Sequence, residues 1–362
     1  MSSAAHDAVP AFLSIDVEPD AFQIGRGDRD HWPGYAAMTD FAGSLRESLA
    51  RASRHAPVFG WYFRMDPQIA AVCGRADVAV TGFRERVAAL ERAGDYFGAH
   101  MHPLRWSEAH AQWVHDFADA QWLRDSTQFA LDAFRACFGR PCPLFRAGAG
   151  FMSDDIVDVL DRNGVVMELS LEPVSSWGLS ADVVPTAVDA SPIVGAFSDC
   201  ARAPRSAYHP SRADFRRRGE ADARDLLMVP MTTASPPAPR GVRSQVARWW
   251  RGSGGASAQM LYPSLSWRSE RHFWDLVARE IDLMDRPYVS LGVRTDRHDA
   301  ALTGRVYRLF AALADHPLVE RLRFVNPLDC AALFAHDAAT ARRARESHRA
   351  RAAAGEMASR AM

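Results

Sequence analysis

The sequence contains no lysine, because all 43 of its basic residues are arginine. This absence excludes Schiff-base chemistry, a pyridoxal-phosphate enzyme and the lysine of a phosphate-binding loop. Acidic and basic residues nearly balance, with a net charge of −1, so no overall field draws the chain to nucleic acid or to an anionic surface. Nucleic-acid-binding motifs and internal repeats are also absent from the sequence.

Cysteine is scarce and irregularly spaced. The five cysteines are an odd number without metal-binding spacing, which predicts small buried side chains in a reducing compartment rather than a disulfide framework. No apolar run reaches the roughly 18 residues of a membrane span, and the first residues lack the basic start and apolar core of a signal peptide. We therefore expect a cytoplasmic protein.

Two short motifs contain carboxylate and imidazole side chains that are candidates for a metal site. Asp16 and Glu18 follow one apolar run, and His100 and His102 follow another. Residues two apart in a strand point to the same face, so each pair can aim both side chains at one point. Imidazole and carboxylate ligands suit a divalent metal with an open position for water. The two motifs therefore predict a mononuclear metal hydrolase.

A third segment begins with a short apolar run at 143–147, which contains Arg146, and continues through glycines to Ser153. Apolar residues at helical spacing follow from Ile156 and end at Asn163-Gly164. This pattern is typical of a strand, a loop and a helix capped by Ser153. It places Arg146 at the end of its strand, like the two metal motifs.

The three segments resemble the polysaccharide deacetylase superfamily with NodB homology, carbohydrate esterases that remove acyl groups from sugars. The resemblance implies that Asp16 is the catalytic base, that Arg146 orients it, and that Glu18, His100 and His102 bind the metal. The roles of Asp16 and Glu18 could be reversed. The implied cofactor is one divalent ion, with zinc expected first and cobalt, nickel or manganese as alternatives.

The motifs also depart from the family pattern. Val17 separates the two acids, a form that resembles subfamilies acting on lipopolysaccharide and other surface-glycan sugars, and one residue rather than three separates the histidines. The predicted strand at 287–293 is followed by Arg294, where the last motif of the family places its general-acid histidine. His298 is the first candidate for that acid and His209 the second. Turnover by the usual acid-base pair is therefore left open.

Strand-like runs alternate with helix-like stretches, which favours a parallel α/β fold. The predicted strands lie at 11–17, 57–64, 96–101, 143–147, 165–171, 226–232, 287–293 and 322–326, and two of the predicted helices run from Phe83 to Ala93 and from Trp113 to Phe138. Seven or eight such units predict a distorted (β/α)7-type, NodB-like barrel in one domain, residues 1–336. Active sites of such barrels lie at the carboxyl ends of the strands, where all three motifs fall. Glu168 and Ser170 match a fourth family feature at the end of the fifth strand.

Residues 233–258 interrupt this alternation. Proline- and glycine-rich stretches flank a basic and aromatic segment at 242–251. They predict an inserted lobe that acts as a lid over the barrel mouth. Trp249 and Trp250 could stack on sugar rings, or the segment could contact an anionic membrane carrying a lipid-linked glycan. A plain packed insertion is the alternative. The Ala- and Arg-rich residues 337–362 are predicted to be a solvated tail.

A basic segment precedes the sixth predicted strand. Surface-glycan relatives have a Tyr-x-Pro-Ser sequence there, so the resemblance implies that Tyr208, His209 and Arg212 contact the sugar. An exposed basic loop is the alternative interpretation.

The resemblance implies a hydrolase of non-peptide C–N bonds that removes an acetyl or formyl group from a sugar. Its substrate would be a surface polysaccharide or a lipid-linked precursor in O-antigen or exopolysaccharide biosynthesis, with the protein cytoplasmic or peripheral at the inner membrane. One alternative is a catalytically silent deacetylase-fold protein that binds glycans or serves in assembly. Another is a glycosidase, which would need a second carboxylate and no metal.

Overall fold

The computed structural model describes residues 8–21, 32–174, 187–188, 191–234, 259–296 and 300–334. Several sequence predictions lie outside these residues. They concern His298, Trp249, Trp250, nearly all of the predicted lid and the C-terminal tail. The predicted domain boundary after residue 336 also lies outside them and stays a prediction.

The described strands are, in chain order, β1 Val9–Val17, β2 Gly60–Arg64, β3 Tyr96–Met101, β4 Leu104–Ser107, β5 Gln112–Asp116, β6 Leu144–Ala147, β7 Met167–Glu168, β8 Ala187–Val188, β9 Ser191–Val194, β10 Leu227–Met228, β11 Thr233–Ala234, β12 Gln259–Met260, β13 Val289–Arg294 and β14 Leu322–Phe324. The helices are α1 Pro33–Ser53, α2 Pro67–Cys73, α3 Val78–Thr81, α4 Arg84–Arg92, α5 Ala120–Phe138, α6 Asp154–Arg162, α7 Glu270–Asp282, α8 Ala300–Ala314 and α9 Pro327–Phe334, with a 3-10 turn at Pro317–Glu320.

The central sheet is parallel and curled. Its strand order is β10-β7-β6-β3-β2-β1-β13, and β14 pairs with the first residues of β1. Beyond β10, the Thr232 amide donates to the Ser290 carbonyl at 2.9 Å, and the Thr232 hydroxyl accepts from the Ser290 amide at 2.8 Å. These bonds draw the chain after β10 toward β13. The predicted barrel-type α/β fold is confirmed as a curled half-barrel.

Successive side chains of β1 point alternately to the two faces of the sheet, and this alternation positions the residues of the site. Five of its apolar residues pack in the large cluster that includes the helices: Val9, Ala11, Leu13, Ile15 and Val17. Phe12 faces the other way, into a second cluster that combines residues of the parallel strands with residues of α9. Because the side-chain period of a strand is two, Asp16 lies on the same face as Phe12. Both faces of β1 are buried, as expected for a parallel strand between layers.

Side-chain caps determine where several helices begin. The predicted Ser153 cap is present, since its hydroxyl accepts from the Ile156 amide at the start of α6. Asp66, Asp119 and Ser269 cap α2, α5 and α7 in the same way. Such caps satisfy amide groups that have no partner inside the helix.

The helix predicted from Trp113 is wrong in its first part. Gln112–Asp116 forms β5, and the helix begins only at Ala120, because Asp119 accepts from the amides of Gln121 and Trp122. Buried Trp113 and Val114 belong to a strand of a second sheet with the order β4-β5-β9-β8. The sequence analysis missed this sheet, because its short strands connect segments far apart in the chain.

Among the described residues, no helix combines the length and the apolar character needed to cross a membrane. All five cysteines are free thiols, four of them buried and Cys137 half-buried.

Candidate active site

A cavity of about 660 Å³ opens at the carboxyl edge of the parallel sheet. The structure brings five of the predicted site residues together on its wall: Asp16, Glu18, His100, His102 and Arg146. They come from β1, β3 and β6 or from the residue directly after a strand. Parallel strands end at the same edge, so this convergence follows from the fold.

Glu18, His100 and His102 form a compact buried cluster. Their ligand atoms all lie within 4.8 Å of one another. Glu18 Oε1 is 3.0 Å from His100 Nε2 and 2.7 Å from His102 Nε2. Burial raises the pKa of Glu18, but His102, Arg64 and His100 outweigh it and hold that pKa well below its usual value. Burial also lowers the pKa of His102 well below its usual value, which favours the neutral imidazole that binds metals.

The hydrogen bonds of this cluster fit a cation. His100 Nδ1 lies 3.0 Å from the Arg146 carbonyl oxygen, which can only accept, so Nδ1 carries the proton. In the neutral form of this ring, Nε2 would present its lone pair to Glu18 Oε1, which is also an acceptor. A cation between the two atoms would satisfy both. The donor set of two imidazoles and one carboxylate is one that zinc uses in hydrolases.

Arg64, at the end of β2, holds the other oxygen of Glu18. Its Nη1 donates to Glu18 Oε2 at 2.8 Å and its Nε donates to Asp66 Oδ2 at 2.7 Å. Asp66 also accepts from the His102 amide at 3.0 Å. Glu18 is therefore presented with only Oε1 toward the histidines. The sequence analysis missed Arg64 and Asp66. The available signal was that the predicted strand at 57–64, between β1 and β3 in the sheet, ends in a charged residue.

Gly148 makes room for the His102 ring. A Cβ atom at this position would lie 2.1 Å from His102 Nε2. On its other side, His102 Nδ1 lies 3.4 Å from Nε2 of buried His115. The loop after β6 and the strand β5 therefore restrict the orientation of this ring, as surrounding groups commonly do for a metal ligand.

Asp16 is held by a bidentate ion pair. Arg146 Nε donates to Asp16 Oδ1 at 2.6 Å, and Nη2 donates to Oδ2 at 3.0 Å. Both side chains are nearly fully buried. Burial lowers the pKa of Arg146, but Asp16 outweighs it and raises that pKa above its usual value. The guanidinium also donates to the Leu169 carbonyl, so the orientation of Asp16 depends on β6 and on the segment after β7.

The end of β13 supports the loop after β1. Thr295 Oγ1 accepts from the Glu18 amide at 2.8 Å and donates to the Glu18 carbonyl at 2.9 Å. Arg294 lines the cavity, with its Nε 3.9 Å from Glu18 Oε1, and its guanidinium binds both oxygens of Asp296. An arginine therefore lies on the wall of the cavity where the family resemblance leads one to expect a histidine.

Glu168 and Ser170, the fourth feature of the family resemblance, lie at and below the wall of the cavity. Ser170 lines the cavity and its hydroxyl accepts from the Ala147 amide at 2.9 Å. Glu168 is fully buried below it and accepts from the amides of Ser170 and Leu171. Burial raises the pKa of Glu168 to about 7, against the opposing effect of these hydrogen bonds.

The sequence analysis missed a third acidic residue on the cavity wall, Glu172. Glu172 follows β7, and Tyr262, two residues after β12, donates a hydrogen bond to its Oε1. Both residues line the cavity. The only signal in the sequence was another acid two residues after Ser170.

Tyr208, His209 and Arg212 are not brought to this cavity. Tyr208 is fully buried and its hydroxyl donates to the Phe215 carbonyl at 2.8 Å. His209 Nδ1 lies 3.1 Å from the Leu226 carbonyl, and Arg212 pairs with Asp161 at 3.1 Å. The segment folds back on β10 and α6, and the prediction that these residues contact the sugar stays a prediction. His298, Trp249 and Trp250 lie outside the described residues.

No family model and no curated protein sequence matches the chain. A candidate glycoside hydrolase/deacetylase from Parabacteroides distasonis superposes with a TM-score of 0.53 at 14% identity, over 89% of this chain and 70% of its own. The chain has the deacetylase fold. The resemblance seen in the three motifs is thereby confirmed in the fold, with a divergent sequence. At this identity the likeness concerns the fold alone.

Two further structures superpose less closely. A candidate polysaccharide deacetylase from Mycobacterium smegmatis has a TM-score of 0.42 at 12% identity, over 92% of each chain. A CE4 family pseudoenzyme from Bacillus anthracis has a TM-score of 0.33 at 9% identity, over 89% of this chain and 71% of its own.

Proposed function

We propose that this protein is a metal-dependent deacylase that removes an acetyl or formyl group from a sugar nitrogen. The observation that carries the proposal is one cavity that holds a cluster of two histidines and a glutamate beside a carboxylate clamped by arginine. A deacylase needs a metal site next to a general base, and these two parts lie on the same wall.

Each part has a distinct chemical role. A divalent cation held by Glu18, His100 and His102 would supply Lewis acidity, which makes water more acidic and polarises an acyl carbonyl. Asp16 accepts the proton of the attacking water. Arg146 orients the Asp16 carboxylate through two hydrogen bonds.

The cavity is suited to a sugar with its acyl group. Its volume of about 660 Å³ is within the common range for small-molecule sites. Its lining combines apolar residues such as Val174 and Met260, which belong to one small cluster, with polar residues, and a sugar ring likewise offers both apolar and polar groups. We propose a surface polysaccharide or its lipid-linked precursor as the substrate, zinc as the first metal, and a cytoplasmic location.

The test compares two double variants. We expect His100→Ala/His102→Ala to lose bound metal and all turnover, whereas His55→Ala/His110→Ala, which removes two exposed histidines, should keep both. Elemental analysis gives the metal per chain, and a panel of N-acetyl and N-formyl amino sugars gives turnover by release of the free amine. Absence of metal from the wild-type protein after reconstitution would refute the proposal.

One observation favours a second candidate, a silent glycan-binding protein. Arg294 ends β13 on the cavity wall, and a permanently protonated arginine cannot serve as a general acid at neutral pH. Bound metal without turnover on any amino sugar of the panel would support this candidate. Turnover that persists in a chelator would instead indicate a glycosidase.

A further inference from the structure

The deacylase reaction needs a proton donor, and none of the residues given a role in the proposed function supplies one. The nitrogen that departs from an amide must be protonated as the C–N bond breaks. Among the described residues that line the cavity, Asp16 serves as base and Arg146 holds it, while the cluster of Glu18 and two histidines is assigned to the metal. The ionisable side chains that remain on the described wall are Glu172, Tyr262 and Arg294.

Geometry selects Glu172 from these three. Glu172 is 9% exposed and lines the cavity. Tyr262 donates to Glu172 Oε1, which leaves Oε2 to carry a proton. Arg294 remains protonated at neutral pH, and burial raises the pKa of Tyr262 well above its usual value, so neither releases a proton readily.

The loop after β6 connects Glu172 with the metal cluster. A Cβ atom at Gly150, where φ is +60°, would lie 2.9 Å from Glu172 Oε1. A Cβ atom at Gly148, two residues earlier, would lie 2.1 Å from His102 Nε2. This short loop is therefore in contact with the carboxyl group at one end and with a metal ligand at the other. An acyl sugar bound over the loop can reach both.

We propose that Glu172 donates the proton to the departing amine, with Tyr262 as its positioning residue; this inference rests on the proposed deacylase function. Asp16 takes one proton from water as the C–O bond forms. Glu172 gives one proton to the nitrogen as the C–N bond breaks, which leaves a carboxylic acid and an amine. Transfer of a proton back to Glu172 and loss of the proton from Asp16 restore both residues.

The surroundings of Glu172 agree with this role. Burial raises the pKa of Glu172 to about 7, with Tyr262 and Arg146 opposing the rise and Asp16 adding to it. The donor must be protonated to act. Turnover should therefore fall as the pH rises through about 7, because an increasing fraction of Glu172 has lost its proton.

The test uses two acetyl compounds that differ in the leaving group. One is the N-acetyl sugar that the wild type hydrolyses fastest, and the other is 4-nitrophenyl acetate, whose nitrophenolate departs without protonation. We expect Glu172→Gln to lower kcat on the amide by about 10²- to 10⁴-fold and to lower kcat on the ester at least tenfold less. Glu172→Asp should restore part of the amide activity, and Tyr262→Phe should give a smaller loss than Glu172→Gln.

Two controls separate catalysis from folding. Glu172→Gln should keep one metal ion per chain and an unchanged thermal midpoint, and its residual amide activity should lack the decline near pH 7. Equal losses on amide and ester would overturn the inference, and so would an undiminished rate on the amide. Failure of the proposed function would give a different result, namely that the wild-type protein hydrolyses no amide. That result would overturn the inference as well.

Discussion

At the residue scale, Gly148 determines the shape of the candidate metal centre without contributing a side chain. The space that its Cβ would occupy is filled by the His102 ring, whose Nε2 points at Glu18. The absence of a side chain is therefore part of the site, and a motif defined by ligands alone does not reveal it.

Adding one methyl group at Gly148 tests this role. We expect Gly148→Ala to displace the His102 ring and to weaken metal binding by about 10- to 100-fold, the usual effect of disturbing groups that orient a ligand. Gly43→Ala is the matched control, because a Cβ there meets nothing within 4 Å on an exposed part of α1. A metal titration against a competing chelator measures both. Wild-type affinity in Gly148→Ala would show that the ring adjusts freely.

At the element scale, the end of β2 and the start of α2 form one unit with the metal cluster. Asp66 caps α2 by accepting from the Ile69 amide at 3.1 Å, and it also binds Arg64 and the His102 amide. Arg64 is fully buried and bonds Glu18 in turn. The beginning of one helix is thereby coupled to the positions of Glu18 and His102, two of the candidate metal ligands.

Removing this cap should cost more than removing an ordinary one. Asp66→Ala leaves a buried arginine without one of its charge partners, and we expect a loss of about 3–5 kcal/mol in the free energy of unfolding. Ser269→Ala removes the cap of α7, whose bond to the His272 amide is exposed, and should cost about 1 kcal/mol. Urea denaturation measures both variants. Equal losses would mean that Asp66 acts only as a cap.

At the scale of the whole molecule, the candidate metal cluster of Glu18, His100 and His102 connects distant parts of the chain. Glu18 is 82 residues from His100 and 84 from His102 in sequence, so the three ligands converge only in the folded state. A cation that binds the native chain alone stabilises it by mass action.

Metal should therefore raise the stability of the fold. At a free metal concentration a thousandfold above Kd, the expected gain is about 4 kcal/mol in the free energy of unfolding, and a chelator should reverse it. His100→Ala/His102→Ala should show no gain, whereas His55→Ala/His110→Ala should respond like the wild type. The denaturation midpoint with and without metal is the measurement. A wild-type midpoint insensitive to both metal and chelator would contradict the expectation.

The sequence by itself determined the parallel strands and the pairing of functional residues within each motif. Apolar runs located all eight strands of the central sheet near their observed positions, from β1 to β14. The period of two along a strand was enough to bring Asp16 to the inner face and to pair His100 with His102. Local rules of this kind depend only on near neighbours, so they can be read without the fold.

Only the tertiary structure decided which distant side chains meet. Arg64 reaches Glu18 across 46 residues of sequence, and Tyr262 reaches Glu172 across 90. The return of the segment with Tyr208 onto β10, away from the cavity, was equally invisible in its composition. Each of these contacts depends on strand order and on loop paths. Periodicity carries no information about either, because it reports which face a residue takes but not which element lies opposite.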